Sequence, residues 1–217
     1  KGLEHEAAYL QQIKDEGKSI VEIPKYSNLQ DRAQLTLEAM QSGSDVIYQA
    51  VFFAPPWRGD ADFLIKCDTP SSLGDFSYEV LDTKLARTAE PKHIMQLCIY
   101  SELLTDLQGL RPADMHLFLG DHEKHSFRVA DFFYYYTRAK GRFETYLQNP
   151  PVDSYPEPCG HCNFCPWREG CKAQWEQDGH LSLVANIQRS QMDKLRKAGI
   201  RSVAELAATE PDTKIPD

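Results

Sequence analysis

The sequence predicts an α/β fold, with a mixed central sheet flanked by helices, and three observations carry that expectation. The hydrophobic period is helical up to residue 41, changes to strand-like segments over 45–85, and returns to helical from residue 91. The elements follow the order helix, three strands, helix, two strands, helix. Proline, glycine and asparagine fall between these segments, where turns and caps require them.

Residues 2–16 read as an amphipathic helix, with Leu3, Ala7, Leu10 and Ile13 at helical spacing. Residues 19–24 form a short strand candidate ended by proline. Asn28 is placed to cap a second helix running to Gln41, with Gly43 just beyond its end. Residues 45–53 are rich in β-branched and aromatic side chains. After the Pro55–Pro56 turn, 62–67 and 76–85 continue as strands, separated by a Pro/Ser/Gly loop. Pro91 opens a helix to about Leu107, as suits a first helical turn. Strands at 115–119 and 126–130 follow, then a long helix over 131–147. Residues 150–158 are proline-rich and read as a linker or an ordered crossing. Two short helices, 181–189 and 191–198, and a third after Ser202 complete the chain. The expected division is a core over 1–150, a cysteine-cluster segment over 151–178 and a small helical tail over 179–217.

The 217 residues suffice for one sizeable core with an appendage. No apolar run is long enough to cross a bilayer, and no basic leader precedes an apolar segment, so the expectation is a cytoplasmic protein without a membrane. The chain opens at Lys1 inside a helical pattern, which reads as a piece of something longer. A formal net charge of -8 is not that of a general polyanion binder. If nucleic acid is the partner, Lys and Arg must be concentrated locally or supplied by parts outside this stretch.

The chemistry concentrates between Gly59 and Tyr100. Along SYEVLDTKLA side chains alternate, so Tyr78, Val80, Asp82 and Lys84 share one face. Two residues apart on a strand is about 6.6 Å. A carboxylate can then hold a cation while an ammonium reaches a water on the same ion, the pairing phosphodiester hydrolysis uses. Asp-x-Lys alone also describes a surface ion pair. Asp62 lies one strand earlier in RGDADFLIK, where an adjacent strand can set its carboxylate beside that of Asp82. Asp60 reads as a solvated turn residue, and Glu79 as facing the other side of its strand. On the following helix Gln96 and Tyr100 stand at i,i+4, polar residues in an otherwise apolar segment, which also describes an amphipathic helix edge.

In this order Gly-x-x-Asp, Asp-x-Lys and Gln-x-x-x-Tyr, preceded by GLEHEAAYL, resemble the RecB-like branch of the PD-(D/E)xK nucleases. The likeness is nearest to bacterial RecB-like putative nucleases with a C-terminal cysteine cluster. It extends to the iron–sulfur CRISPR-associated and helicase-linked RecB-type exonucleases. The resemblance implies a restriction-endonuclease-like core that hydrolyses DNA phosphodiesters, exonucleolytically on single strands, in repair, recombination or defence. It implies Mg2+ or Mn2+ bound by His5, Asp62, Asp82 and the carbonyl of Thr83. Lys84 would orient or activate the water, with Gln96 and Tyr100 positioning substrate or Lys84. A helicase or second nuclease domain is the implied protein partner. The reading from another class is a catalytically inactive nucleic-acid-binding module stabilised by zinc or an iron–sulfur cluster.

Four of the six cysteines, Cys159, Cys162, Cys165 and Cys171, form C-x2-C-x2-C-x5-C. Such crowding favours metal ligation over disulfides, and the spacing accommodates either Zn2+ or a [4Fe-4S] cluster. The resemblance favours iron–sulfur, with Cys162, Cys165 and Cys171 matching the family triplet. Cys159 is then the fourth ligand or a bystander whose counterpart lies upstream. The cluster would clamp the C-terminal part onto the core rather than join in hydrolysis. Cys67 and Cys98 read as small buried hydrophobes. LRKAGIRSVAELA resembles half of a helix-hairpin-helix, and equally a plain helical pair. The aromatic run 132–136 reads mainly as core, with base stacking as the alternative.

Overall fold

The computed structural model describes residues 1–25, 28–150 and 154–210. Residues 151–153 of the proline-rich crossing and 211–217 of the tail lie outside the described residues. The chain divides into two compact units, 1–149 and 150–217.

The first unit is an α/β layer structure around an open, mixed, six-stranded sheet in the order β1-β2-β3-β4-β5-β6. Its elements are α1 (Gly2–Asp15), β1 (Ile20–Glu22), α2 (Leu29–Gln41), β2 (Val46–Ala54), β3 (Trp57–Cys67), β4 (Ser77–Thr83), α3 (Pro91–Gln108), β5 (Asp114–Phe118), β6 (Lys124–Arg128) and α4 (Val129–Gln148). The two parallel pairs, β1–β2 and β4–β5, are each joined through a helix. The antiparallel pairs are joined by shorter connections. That is what the geometry of each ladder demands. Asn28 caps α2 by accepting the Asp31 N–H at 2.9 Å. Pro91 opens α3, and Gly109 ends it in the left-handed conformation.

Two apolar layers hold the sheet. On one face α2, α3 and α4 bury Met40, Leu97, Leu104 and Tyr136 against Ile47, Leu64, Val80 and Leu117. On the other, α1 packs Tyr9, Leu10 and Ile13 on Val46, Phe63, Leu81 and Phe118. The buried face of α1 is His5, Glu6, Tyr9, Leu10 and Ile13. Leu3, expected inside, is 74% exposed, so the helix turns a histidine and a glutamate inward in its place.

Three further expectations need correction. β3 begins at Trp57 rather than Asp62, so Asp60 is a strand residue paired opposite Val51, not part of a turn. Helix α5 (Arg168–Asp178) carries Cys171 within the cysteine-cluster segment, to which no helix was assigned. The helix expected over 181–189 is a single 3-10 turn, Leu181–Leu183, and α6 (Arg189–Lys197) starts after it.

The second unit has a small core of Leu181, Met192 and Ile200, with Ile187, Leu195 and Leu206 around it. The last helix among its described residues is α7 (Val203–Ala207), capped by the Ser202 hydroxyl. Among the described residues no helix is long and apolar enough to cross a membrane.

Candidate active site

Strands β3 and β4 bring two carboxylates together. The antiparallel register pairs Phe63 with Leu81, and its continuation sets Asp62 opposite Asp82. Asp82 Oδ1 accepts the Asp62 backbone N–H at 3.4 Å, and its other oxygen accepts the Lys84 ammonium. Asp62 Oδ2 accepts both the backbone N–H and the hydroxyl of Thr83, each at 2.7 Å. Asp62, Asp82, Thr83 and Lys84 therefore meet at the end of the β3–β4 ladder.

Asp82 is 1% exposed. Burial, then the neighbouring Asp62 charge, push its carboxyl up from 3.8 to about 6, although Lys84 opposes the rise. The pair holds more negative charge than Lys84 neutralises.

The pleat changes phase beside this pair. Ile47 and Ala50 on β2, and Ala61 and Leu64 on β3, all lie in the same apolar layer. Strict alternation would send residues three apart to opposite faces. The change falls at Gln49, whose φ of 59° is left-handed, and which stands opposite Asp62 in the register. A non-glycine residue held there inside a strand is a strained feature of the kind found at functional sites. Gln49 donates to Glu6 Oε1, which also accepts the Tyr48 hydroxyl at 2.7 Å. Burial, Glu6 and the Asp62 charge together hold the Tyr48 phenol well above its ordinary range. Glu6, Tyr48 and Gln49 thus border the acidic pair. Sequence reasoning passed over all three, although a glutamine in the middle of VIYQAVFFA was a visible signal.

Helix α3 supplies the other wall. Gln96 Nε2 donates to the Tyr100 hydroxyl at 2.8 Å. Burial raises the Tyr100 phenol to about 12, and the charges of Asp82, Asp62 and Asp60 add to the rise, so its ring lies within the field of the acidic residues. A Cβ on Gly59 would stand 2.7 Å from two Tyr100 ring carbons. The glycine of Gly-x-x-Asp is therefore the seat of the Tyr100 ring. His93, on the same helix, is lowered by burial and then by the Lys84 charge.

His5 is also buried, stacked on Phe118 with centroids 5.1 Å apart and edge-on to His122 at 5.4 Å. Its Nε2 lies 3.4 Å from the Phe118 carbonyl, the oxygen that also accepts the Lys84 backbone N–H at 2.9 Å. His5 thus meets the strand beside the site rather than the two aspartates. Asp60 is bound to Arg32 at 3.3 Å and Arg58 at 2.9 Å, and Glu79 to His116 at 2.9 Å.

Among the described residues, no three His, Cys, Asp or Glu side chains stand together as a preformed metal site. Donors converge in pairs. Asp62 and Asp82 offer hard oxygens in a desolvated, over-charged corner, which fits Mg2+ or Mn2+. In the second unit Cys159 and Cys162 place their sulfurs 4.0 Å apart, and the Cys162 sulfur accepts the Cys159 N–H at 3.3 Å. Cys165 ends the same 3-10 turn, and Cys171 sits in the first turn of α5. All four are free thiols, whose chemistry suits zinc or iron. Of the lone cysteines, Cys98 is fully buried, and Cys67 is half-buried against the Ser77 hydroxyl at 3.0 Å.

No protein-family model matches this chain, and no curated protein matches it.

Proposed function

We propose that the first unit is a restriction-endonuclease-like, RecB-type core that hydrolyses DNA phosphodiester bonds with a divalent cation. The observation that carries the reading is the meeting of Asp62 and Asp82 across neighbouring strands, with Lys84 on the second carboxylate. Asp62, Asp82 and the Thr83 carbonyl would hold Mg2+ or Mn2+, and His5 would join them only by turning from the Phe118 carbonyl. When bound, the cation would supply Lewis-acid stabilisation of the charge that develops at phosphorus-bound oxygen.

The protein's own groups do the rest. Lys84 would orient the attacking water by donating to it from the Nζ ammonium, and the water's proton would pass to solvent. Gln96 and Tyr100, fixed on each other and on Gly59, present an amide and a phenol to a non-bridging phosphate oxygen. Glu6 and Gln49 hold the strained strand that aims Asp62. In the second unit Cys162, Cys165 and Cys171, with Cys159, would hold a [4Fe-4S] cluster, or Zn2+ in its place. The substrate is single-stranded DNA, cut from an end, in a cytoplasmic protein that works beside a helicase or second nuclease domain.

One observation favours a second reading, a binding module without turnover: the Asp82–Lys84 ion pair already satisfies one carboxylate oxygen. End-labelled single- and double-stranded DNA, incubated with Mg2+, Mn2+ or chelator, separates the two. Metal-dependent shortening from one labelled end supports the exonuclease. A folded, metal-loaded protein that binds DNA and leaves it intact supports the module.

A further inference from the structure

The outward face of α4 carries Tyr134, Arg138, Arg142 and Tyr146, one side chain every fourth residue, with Tyr135 beside the first. That spacing makes one ridge along a helix, about 18 Å from end to end at 1.5 Å per residue. Tyr134 is 81% exposed, Tyr135 69% and Tyr146 51%. The aromatic run 132–136 is thus divided: Phe132 and Phe133 pack on the core and Tyr136 lies within it, while the other two rings face out.

The remaining charges of α4 are committed elsewhere. Lys140 and the Tyr136 hydroxyl both bond Glu102 of α3, at 2.6 and 2.5 Å. Glu144 accepts the Trp57 indole N–H at 2.8 Å, and Asp131 is held by Arg128 at 3.0 Å. The bonds to Glu102 and Trp57 tie the helix to α3 and β3. Arg138 and Arg142 have no ion-pair or hydrogen-bond partner among the described residues, in a chain whose formal net charge is -8. Gly141 lies between them on the floor of an open depression lined by Thr137, Arg138, Arg142, Thr145 and Tyr146. A Cβ there would meet nothing within 4 Å, so no internal contact calls for a residue that weakens the helix.

We infer that this face of α4 is a track for single-stranded nucleic acid, with the arginines on phosphates and the tyrosines under unpaired bases. Unpaired cations beside exposed rings match a flexible polyanion that offers flat π-faces. An acidic peptide would use the cations and leave the rings idle. The inference rests on the nuclease reading for its destination: Trp57, tied to α4 through Glu144, begins the strand that carries Asp62. It also places the local positive charge that such a reading needs on an acidic chain.

The test uses the full chain and a long fluorescein-labelled oligothymidylate, with chelator present so that binding is read alone. Arg138→Gln with Arg142→Gln is expected to flatten the slope of log affinity against log salt by about 1.4, at about 0.7 per phosphate contact on single strands. Tyr134→Ala and Tyr146→Ala are each expected to weaken binding about tenfold. Hydrolysis of bis(para-nitrophenyl) phosphate with Mn2+, which needs only the Asp62–Asp82 centre, should be unchanged in all of them. Variants that bind like the wild type would overturn the inference. So would a wild-type chain that ignores the oligonucleotide and instead self-associates, or takes an acidic peptide, through these residues. A chain that hydrolyses no phosphodiester, yet loses oligonucleotide binding in these variants, would sink the nuclease reading and leave the track standing.

Discussion

Replacing Asp82 by Asn tests the over-charged pair most sharply, because the expected effect on stability has an unusual sign. Asp82 titrates at about 6 in the fold against 3.8 ordinarily, because of its burial and the adjacent Asp62 charge. The folded state therefore holds this proton more tightly than the unfolded chain. The stability it contributes is fully present below pH 3.8 and is lost as pH rises to about 6. Above that the ionised, metal-free pair costs about 3 kcal/mol, at 1.36 kcal/mol per pH unit. Asn keeps the shape and never ionises. Without metal at pH 8 the variant should be more stable by up to about 3 kcal/mol, a rise of up to about 1–3 M in the urea midpoint. At pH 4 the two should coincide. Saturating Mg2+ should then stabilise the wild type by about 2.7 kcal/mol at a hundred times its Kd, and leave the variant unmoved. A variant that is less stable at pH 8 without metal, or that keeps the full metal response, would refute the reasoning.

Lys84→Met keeps the length and apolar stem of the side chain and removes the ammonium. Metal-dependent cleavage should fall about 10²–10⁴-fold while Mn2+ still binds, as single-turnover assays with and without saturating Mn2+ would show. Gly59→Ala sets a methyl 2.7 Å from the Tyr100 ring; it should destabilise the core by about 1–3 kcal/mol in urea unfolding and lower kcat by displacing Tyr100. Cys165→Ser should abolish the brown colour and the charge-transfer absorbance of anaerobically purified protein, and lower its solubility. Retained colour would remove Cys165 from the ligand set, and a well-behaved colourless protein with full activity would end the cluster's structural role.

Much of this architecture was legible because period and punctuation agreed. Asn28 caps α2, Gly43 follows its end in the left-handed conformation, and Pro91 opens α3, each where the sequence placed it. The alternation of SYEVLDTKLA places Val80 in the α3-facing layer and Leu81 in the α1-facing one. What stayed hidden depended on tertiary neighbours. Trp57 to Ala61 looked like a turn because Pro55, Pro56 and Gly59 suggest one. Gly59 is a strand residue paired opposite Phe52, and it is glycine because the Tyr100 ring lies against it, a contact between residues far apart in the chain. The buried face of α1 was misjudged because His5 and Glu6 are polar, and their burial is explained only by the Phe118 carbonyl, Tyr48 and Gln49. The phase change at Gln49 defeats any reading by alternation, since one left-handed residue resets the faces of every residue after it. Helix α5 was masked by the cysteines, which drew attention to ligand spacing and away from the helical stretch that follows Trp167.

The most direct test of the central claim is where a cation binds. Crystals soaked in Mn2+ and measured at an anomalous wavelength should show a peak between the Asp62 and Asp82 carboxylates, with the Lys84 ammonium moved off Asp82. An unbroken Asp82–Lys84 ion pair with no peak beside it, at Mn2+ concentrations that saturate the thermal shift, would contradict the account.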